Sequence, residues 1–304
     1  MGDSGKRLAH PRRKWRLNWL TLIVALVALA GLIGIMYPST AAWWSQYHES
    51  KAIEAYTEQV RVDPPPGNSH RIEAAREYNE RLSTGDLSIG VGANRPELLG
   101  EVDDESGYWD LLSSDTGVMA RLRIPSIDVD LPIYHGTSDA VLEKGVGHLQ
   151  GTSLPVGGID THSVLTAHTG LAKATLFNNL KDVEIGDTFT VTVSGEVLTY
   201  QVVETQTILP SETGSLIIQG GQDLVTLVTC TPLGINTHRY LVTGERVEPT
   251  PIADVEAAER TPEVPRFPWW AVILPSGVVL IGVYVWRTGY PPKPKKKKGT
   301  SPRP

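Results

Sequence analysis

The 304-residue sequence contains a single cysteine, Cys230, so no disulfide can form within the chain. One cysteine without a close ligand pair does not resemble a zinc site either. No low-complexity run occurs outside the tail, and acidic residues are missing after residue 286. Apolar runs long enough to cross a bilayer are confined to two places, one near each end. What remains, 40% hydrophobic and 20% charged overall, is the composition of a folded protein. There is room for about one ordinary domain between the apolar segments, large enough to bury a core without disulfide staples.

The first apolar segment, residues 17–36, is about 20 residues long, enough to cross a bilayer core as a helix. A basic stretch precedes it, as in a signal peptide. Its apolar part is longer than a usual signal core, however, and no small-x-small cleavage site follows cleanly. Ala41-Ala42 is the nearest candidate site, so an uncleaved anchor is the preferred reading. The second segment, residues 267–286, carries Trp269, Trp270, Tyr284 and Trp286 toward its ends, where amphipathic rings favour the membrane interface. Pro268 stands at its start, and Pro275 and two Gly further in are tolerated inside membrane helices.

Charge sets the expected orientation. Six Lys/Arg stand before residue 17 against Asp3 alone, and seven stand after residue 286 with no acid. The 28 basic and 34 acidic residues of the chain therefore leave 15 against 33 in between, a net of −18. Two basic flanks around an acidic middle place both termini in the cytoplasm and the middle outside. The Lys-rich tail, just inside a membrane helix, suits anionic lipid headgroups of the bilayer rather than nucleic acid. In an exported domain a lone thiol asks for a reason, because it can oxidise or cross-link.

Between the anchors, residues 41–60 read as a helix, and the Pro-rich stretch from Asp63 to Asn68 breaks it. A second helix is expected over residues 70–82, with Asn68 or Ser69 as its N-cap. Residues 83–106 show no periodicity and read as a long loop. From Val118 the texture changes to short β-rich runs: 118–124, 129–133, 163–167, 188–193, 197–207, 224–230 and 239–247. Ser194-Gly195 joins two of them as a hairpin. Regular strands with turns between them predict a closed or nearly closed β-barrel, with a helical insert over 175–180. Residues 248–265, acidic and Pro-containing, read as a linker back to the membrane.

Cys230 ends the apolar strand that begins at Leu224, and Thr231-Pro232-Leu233-Gly234 must turn away from it. A nucleophile at a strand end is held by the sheet yet can face a groove. His168 follows the 163–167 strand, and Arg239 opens the strand after Cys230. If those last two strands pair, Cys230 and Arg239 can face one pocket. A free thiol has a pKa of about 8.5, so only a small fraction is thiolate at neutral pH. A nearby imidazolium or guanidinium raises that fraction. Histidine can then protonate a leaving amine, and arginine can hold a developing oxyanion with its forked donors. Each residue also has a plain structural reading: a small buried hydrophobe, a hydrogen-bonded strand-end histidine, a surface charge. Thr229 and the glycine-flanked His135 and His148 are candidates for lining the substrate groove, with loop support as the alternative for the histidines. His162 and His238 read as structural, and His10, His48 and His70 lie outside the barrel.

These motifs together resemble the sortase family. Thr226-Leu227-Val228-Thr229-Cys230 is similar to the signature TLxTC, 166–170 to the segment bearing the catalytic histidine, and 236–240 to the one bearing the arginine. Leu131-Pro132-Ile133-Tyr134-His135-Gly136, residues 147–155 and residues 230–236 are similar to the class C, pilin-polymerising branch, as is a second C-terminal membrane helix. The resemblance implies a mainly β fold, an eight-stranded sortase-type barrel with short helices, an N-terminal helical layer and two flanking membrane helices. It implies no cofactor, catalytic Cys230, His168 and Arg239, and cleavage of an LPxTG-like sorting signal between Thr and Gly through a thioacyl enzyme. An amine, usually a pilin Lys side chain, then takes the acyl group.

The chain thus divides into a basic N-terminus (1–16), a membrane helix (17–37), a helical layer with a lid-like loop (38–116), the catalytic barrel (117–247), a linker (248–266), a second membrane helix (267–286) and a basic tail (287–304). One departure stands out. Class C enzymes commonly carry an Asp-Pro-aromatic lid motif upstream of the barrel, and residues 87–110 contain none. Asn94-Arg95-Pro96 and Tyr108-Trp109-Asp110 are the faint substitutes. Two further readings are a sortase that anchors surface proteins through a peptidoglycan-precursor amine and a catalytically silent membrane scaffold that binds sorting signals. The full Cys-His-Arg set argues against the scaffold, and the class C-like segments favour pilin polymerisation over wall anchoring.

Overall fold

Short runs of β-branched and apolar residues between turns fold as eight strands: β1 (Val118–Ile124), β2 (Val129–His135), β3 (Val146–His148), β4 (Thr161–Thr166), β5 (Thr188–Val193), β6 (Glu196–Ile208), β7 (Asp223–Thr231) and β8 (His238–Arg246). They close into a barrel in the order β1-β2-β3-β4-β7-β8-β6-β5. Pairs β2–β3 and β4–β7 are parallel and the rest antiparallel. Closure gives every strand a paired neighbour on both sides. The computed structural model describes residues 14–63, 67–84, 107–171, 174–262 and 267–290.

The barrel interior is filled by alternate strand residues, among them Leu122, Ile133, Leu165, Val191, Leu227 and Val242, all fully buried. Phe189 and Tyr200 stack face to face with ring centroids 5.6 Å apart. Gly244 on β8 makes room for them, since a Cβ there would run into the Phe189 ring. β5 and β6 are joined by the two-residue turn Ser194-Gly195, both at positive φ (45° and 89°). That is the backbone a tight hairpin needs to match strand twist.

Five α-helices accompany the barrel in the described residues: α1 (Trp19–Val62), α2 (Gly67–Ser83), α3 (Asp139–Leu142), α4 (Ile252–Ala258) and α5 (Trp270–Thr288). The chain forms two compact units, Met1–Thr40 with Phe267–Pro304 and Ala41–Arg266. Within the first, Leu32 sits against Gly277, where a Cβ would collide with it, and Arg16 N–H donates to Gly289 O at 2.9 Å. Helices α1 and α5 are long and apolar enough to cross a membrane.

Within the second unit, Tyr56 of α1 ties the helix to the barrel. Its hydroxyl donates to Met119 O at 3.0 Å and accepts the Ser194 N–H at 2.9 Å. Asn79 of α2 grips Leu154 at both backbone groups, accepting its N–H at 2.7 Å and donating to its carbonyl at 2.9 Å.

Three local expectations differ from the fold. Helix α2 begins at Gly67, so Asn68 lies inside it and does not cap it; Asn68 Nδ2 instead donates to Val60 O at 2.8 Å, closing the end of α1. Residues 176–179 form turns followed by a short 3-10 segment, Leu180–Asp182, with Leu176 at φ 38°, a value no α-helix accommodates. The stretch after the barrel holds α4, fixed by Thr199 Oγ1 donating to Asp254 at 2.8 Å and by Arg121. The buried Arg121 guanidinium makes a two-pronged pair with Asp130 at 2.7 and 2.6 Å and donates to the Ala258 and Arg260 carbonyls, each at 3.1 Å.

Candidate active site

Strand β7 is apolar from Leu224 to Val228 because it is buried, and it reaches partial exposure at Cys230. In the antiparallel ladder with β8, Cys230 and Arg239 are direct partners, flanked by Thr229 with Tyr240 and Thr231 with His238. Opposed residues on paired strands project to the same face of the sheet. Arg239 donates to the carbonyls of Asn236 at 3.1 Å and His238 at 3.2 Å. Among the described residues no carboxylate forms an ion pair with it, so its charge is not neutralised there.

On its other side β7 pairs in parallel with β4, the ladder ending at Thr166 and Val228. Ala167 N–H continues it by donating to Val228 O at 3.2 Å, and the buried Thr229 hydroxyl donates to Ala167 O at 2.8 Å. His168 and Cys230 each stand two residues beyond the last ladder pair. His168 is therefore not on the strand but on the turn just past it, partly exposed, as Cys230 and Arg239 are. Further hydrogen bonds define this turn. Phe177 N–H donates to His168 O at 3.2 Å, and Asn178 Oδ1 accepts the Gly170 N–H at 2.6 Å and the Thr169 hydroxyl at 3.2 Å. Nothing in the sequence signals the role of Asn178, because it arises from a fold-back across the turn.

Thr229 and His148 are buried rather than set along an open groove, whereas His135 is partly exposed. The Thr229 hydroxyl is turned to Ala167, holding the root of the His168 turn. His148 pairs with Leu165, three residues before His168, but β3 runs antiparallel to β4 and carries it away from that turn. His148 is 0% exposed with both ring nitrogens engaged. Its Nε2–H donates to Ser153 O at 2.9 Å, and its Nδ1 accepts from the Tyr108 hydroxyl at 2.9 Å, whose oxygen accepts the Gly136 N–H at 3.0 Å. Burial pushes the His148 pKa down to about 4, so the ring is neutral in ordinary conditions. His135 meets Leu111 O at 2.7 Å through Nε2 and packs against the rings of Tyr108 and Trp109. Burial also lowers its pKa. Both histidines thus hold the Gly107–Leu112 segment, His148 from full burial and His135 from a partly exposed position.

His162 and His238 fall where a structural reading puts them. His162, buried, bridges Ile217 O at 3.0 Å and the Thr226 hydroxyl at 2.7 Å; His238 meets its neighbour Thr237 at 2.9 Å. Of the two faint lid substitutes, Asn94-Arg95-Pro96 lies outside the described residues. Tyr108-Trp109-Asp110 is described, with Tyr108 in the core and Trp109 over Gly136, where a Cβ would meet its ring at 2.9 Å.

Residues 122–247 match the family model of the sortase domain. The chain is 48% identical to sortase C-1 of Actinomyces oris, with a TM-score of 0.55, covering 60% of this chain and 99% of that one. For sortase C of Streptococcus pneumoniae the identity is 37% and the TM-score 0.57, over 66% of this chain and all (100%) of that one. Sortase D of Bacillus subtilis is 33% identical over 129 residues, which cover 41% of this chain and 62% of that protein. Across the first curated relatives the chain spans 54–62% of their length. With a closed eight-stranded barrel and near-complete coverage of relatives at this identity, the chain belongs to the sortase family, on its class C branch.

Proposed function

We propose that the protein is a membrane-anchored cysteine transpeptidase that cleaves an LPxTG-like sorting signal and passes the acyl group to an amine, a pilin lysine in pilus assembly. The observation that carries this reading is the register of β7 and β8, which sets Cys230 opposite Arg239, beside the turn of His168. The Cys230 thiolate attacks the carbonyl carbon of the signal's Thr, forming a C–S bond and an oxyanion. The forked donors of Arg239 suit that oxyanion. As the C–N bond to Gly breaks, the His168 imidazolium protonates the departing amine. In the second half the acceptor amine attacks the thioester, His168 takes its proton, and the thiolate leaves. No cofactor enters either half.

The class C match supports a pilin acceptor, since the Streptococcus pneumoniae relative is described in terms of pilin substrate specificity. Two apolar helices with basic residues outside them support a two-pass anchor, both ends cytoplasmic and the barrel outside. The deciding experiment is mass spectrometry of the product joined to a sorting-signal protein. An isopeptide to a pilin Lys supports the proposal. A peptidoglycan stem peptide in its place makes the protein a wall-anchoring sortase, and absence of any Cys230-dependent product overturns the transpeptidase reading.

A further inference from the structure

The turn that carries His168 is held through its backbone and a neighbouring hydroxyl. Upstream, Ala167 is clamped by Val228 and by the Thr229 hydroxyl at 2.8 Å. Downstream, the side-chain hold among the described residues is a carboxamide oxygen: Asn178 Oδ1 accepts from Gly170 N–H at 2.6 Å and from Thr169 Oγ1 at 3.2 Å. A carbonyl oxygen has two lone pairs and can serve both donors. Gly170 sits at φ +80°, and a Cβ on it would meet Leu233 Cδ1 at 2.8 Å. Leu233 belongs to the connection after Cys230 and is itself 66% exposed. Asn178 therefore holds the turn against the very connection that follows Cys230. A glycine at this point gives the turn little stiffness of its own, so the carboxamide supplies it.

We propose that Asn178 is a positioning residue for the transfer reaction, keeping the His168–Gly170 turn seated on the Leu233 side so that His168 stays beside the thiol. This rests on the reading of Cys230 and His168 as the reacting pair. Small misplacements of a catalytic group cost up to about 100-fold in rate.

The test compares Asn178→Ala and Asn178→Asp in the full chain, using a sorting-signal peptide and an amine acceptor, with kcat, KM and the pH profile measured separately. Asn178→Ala lowers kcat about 10- to 100-fold and shifts the limbs of its pH profile, with KM changing less than about threefold. Asn178→Asp retains an oxygen acceptor and recovers kcat to within about fivefold of wild type. Asn178→Leu, matched in size but without an acceptor, repeats the loss if the alanine variant fails to fold. Wild-type kcat in Asn178→Ala, a loss confined to KM, or an aspartate variant as slow as alanine each overturns the proposal. His168→Ala separates the two levels: with that variant inactive, such a result removes Asn178 alone, whereas an active His168→Ala removes the reading of the site as well.

Discussion

Cys230 and Arg239, nine residues apart in the chain, are opposed partners across β7 and β8. Opposed residues of an antiparallel pair bring their Cβ atoms to roughly 4.5–5.5 Å. The buried pairs beneath them, Val228 with Leu241 and Leu227 with Val242, pin that register, since a one-residue slip sends every side chain to the opposite face. The placement of thiol and guanidinium is thus a consequence of core packing several residues away.

Replacing Cys230 by Ala removes the sulfur from a partly exposed strand end and leaves the core untouched. Ligation of a sorting-signal peptide to an amine then falls by roughly 10³-fold or more, the scale seen when a nucleophile is deleted. Circular dichroism and the unfolding midpoint stay at wild-type values. Ligation at an undiminished rate in this variant eliminates Cys230 as the nucleophile.

Arg239→Lys keeps the charge and loses the fork. An ammonium cannot present two parallel donors to an oxyanion, so turnover drops by about 10²-fold while the fold is retained. The same ligation assay measures it. Near-normal turnover assigns Arg239 to holding the Asn236 and His238 carbonyls and nothing more.

His148 makes stability depend on pH. Its folded pKa, about 4, is below the ordinary value of 6.5 because burial disfavours the charged ring. The unfolded chain therefore takes up this proton first as pH falls. The His148 contribution to stability is fully present above pH 6.5 and is lost progressively down to about pH 4, a change of about 3 kcal/mol at most. Denaturant midpoints recorded from pH 7 to pH 4.5 fall accordingly, and His148→Gln flattens that slope. An unchanged slope in the variant shows that other groups govern the acid side.

Arg121→Met leaves Asp130 without its two-pronged partner and the Ala258 and Arg260 carbonyls without a donor. With Arg121 only 2% exposed, removing one member of such a pair costs about 3 kcal/mol or more. Thermal unfolding registers the loss, and limited proteolysis cuts first near α4, whose tie to β1 is gone. Equal stability of variant and wild type means the methionine side chain repacks well enough to replace the pair.

Much of this was legible before the fold. All seven candidate strands exist, because short runs rich in β-branched and apolar residues between turns are buried as strands. The Ser194-Gly195 hairpin was equally visible, since its turn needs residues that accept positive φ. Strand β3 was not, because Val146-Gly147-His148 has no periodicity to read. Its glycine is required by the approach of the Gly136 carbonyl, a contact that only the folded chain creates. The expected helix at 175–180 failed for a related reason: the chain folds back with Leu176 at φ 38°, and Phe177 N–H donates to His168 O.

The site divides along the same line. The available groups are readable along the chain: one thiol at the end of an apolar strand, a histidine past another strand, and an arginine opening a third. Local pattern is enough for this, because strand ends follow from where burial stops. Tertiary structure alone decided which of them meet. Barrel closure set β4 and β8 on the two sides of β7, so that Arg239 opposes Cys230 and the turn carrying His168 follows the neighbouring strand. The same closure turned the other candidates inward, Thr229 to Ala167 and His148 to Tyr108 and Ser153. A histidine among glycines looks alike in sequence whether it faces a groove or the core. Only the partners that long-range pairing supplies separate the two.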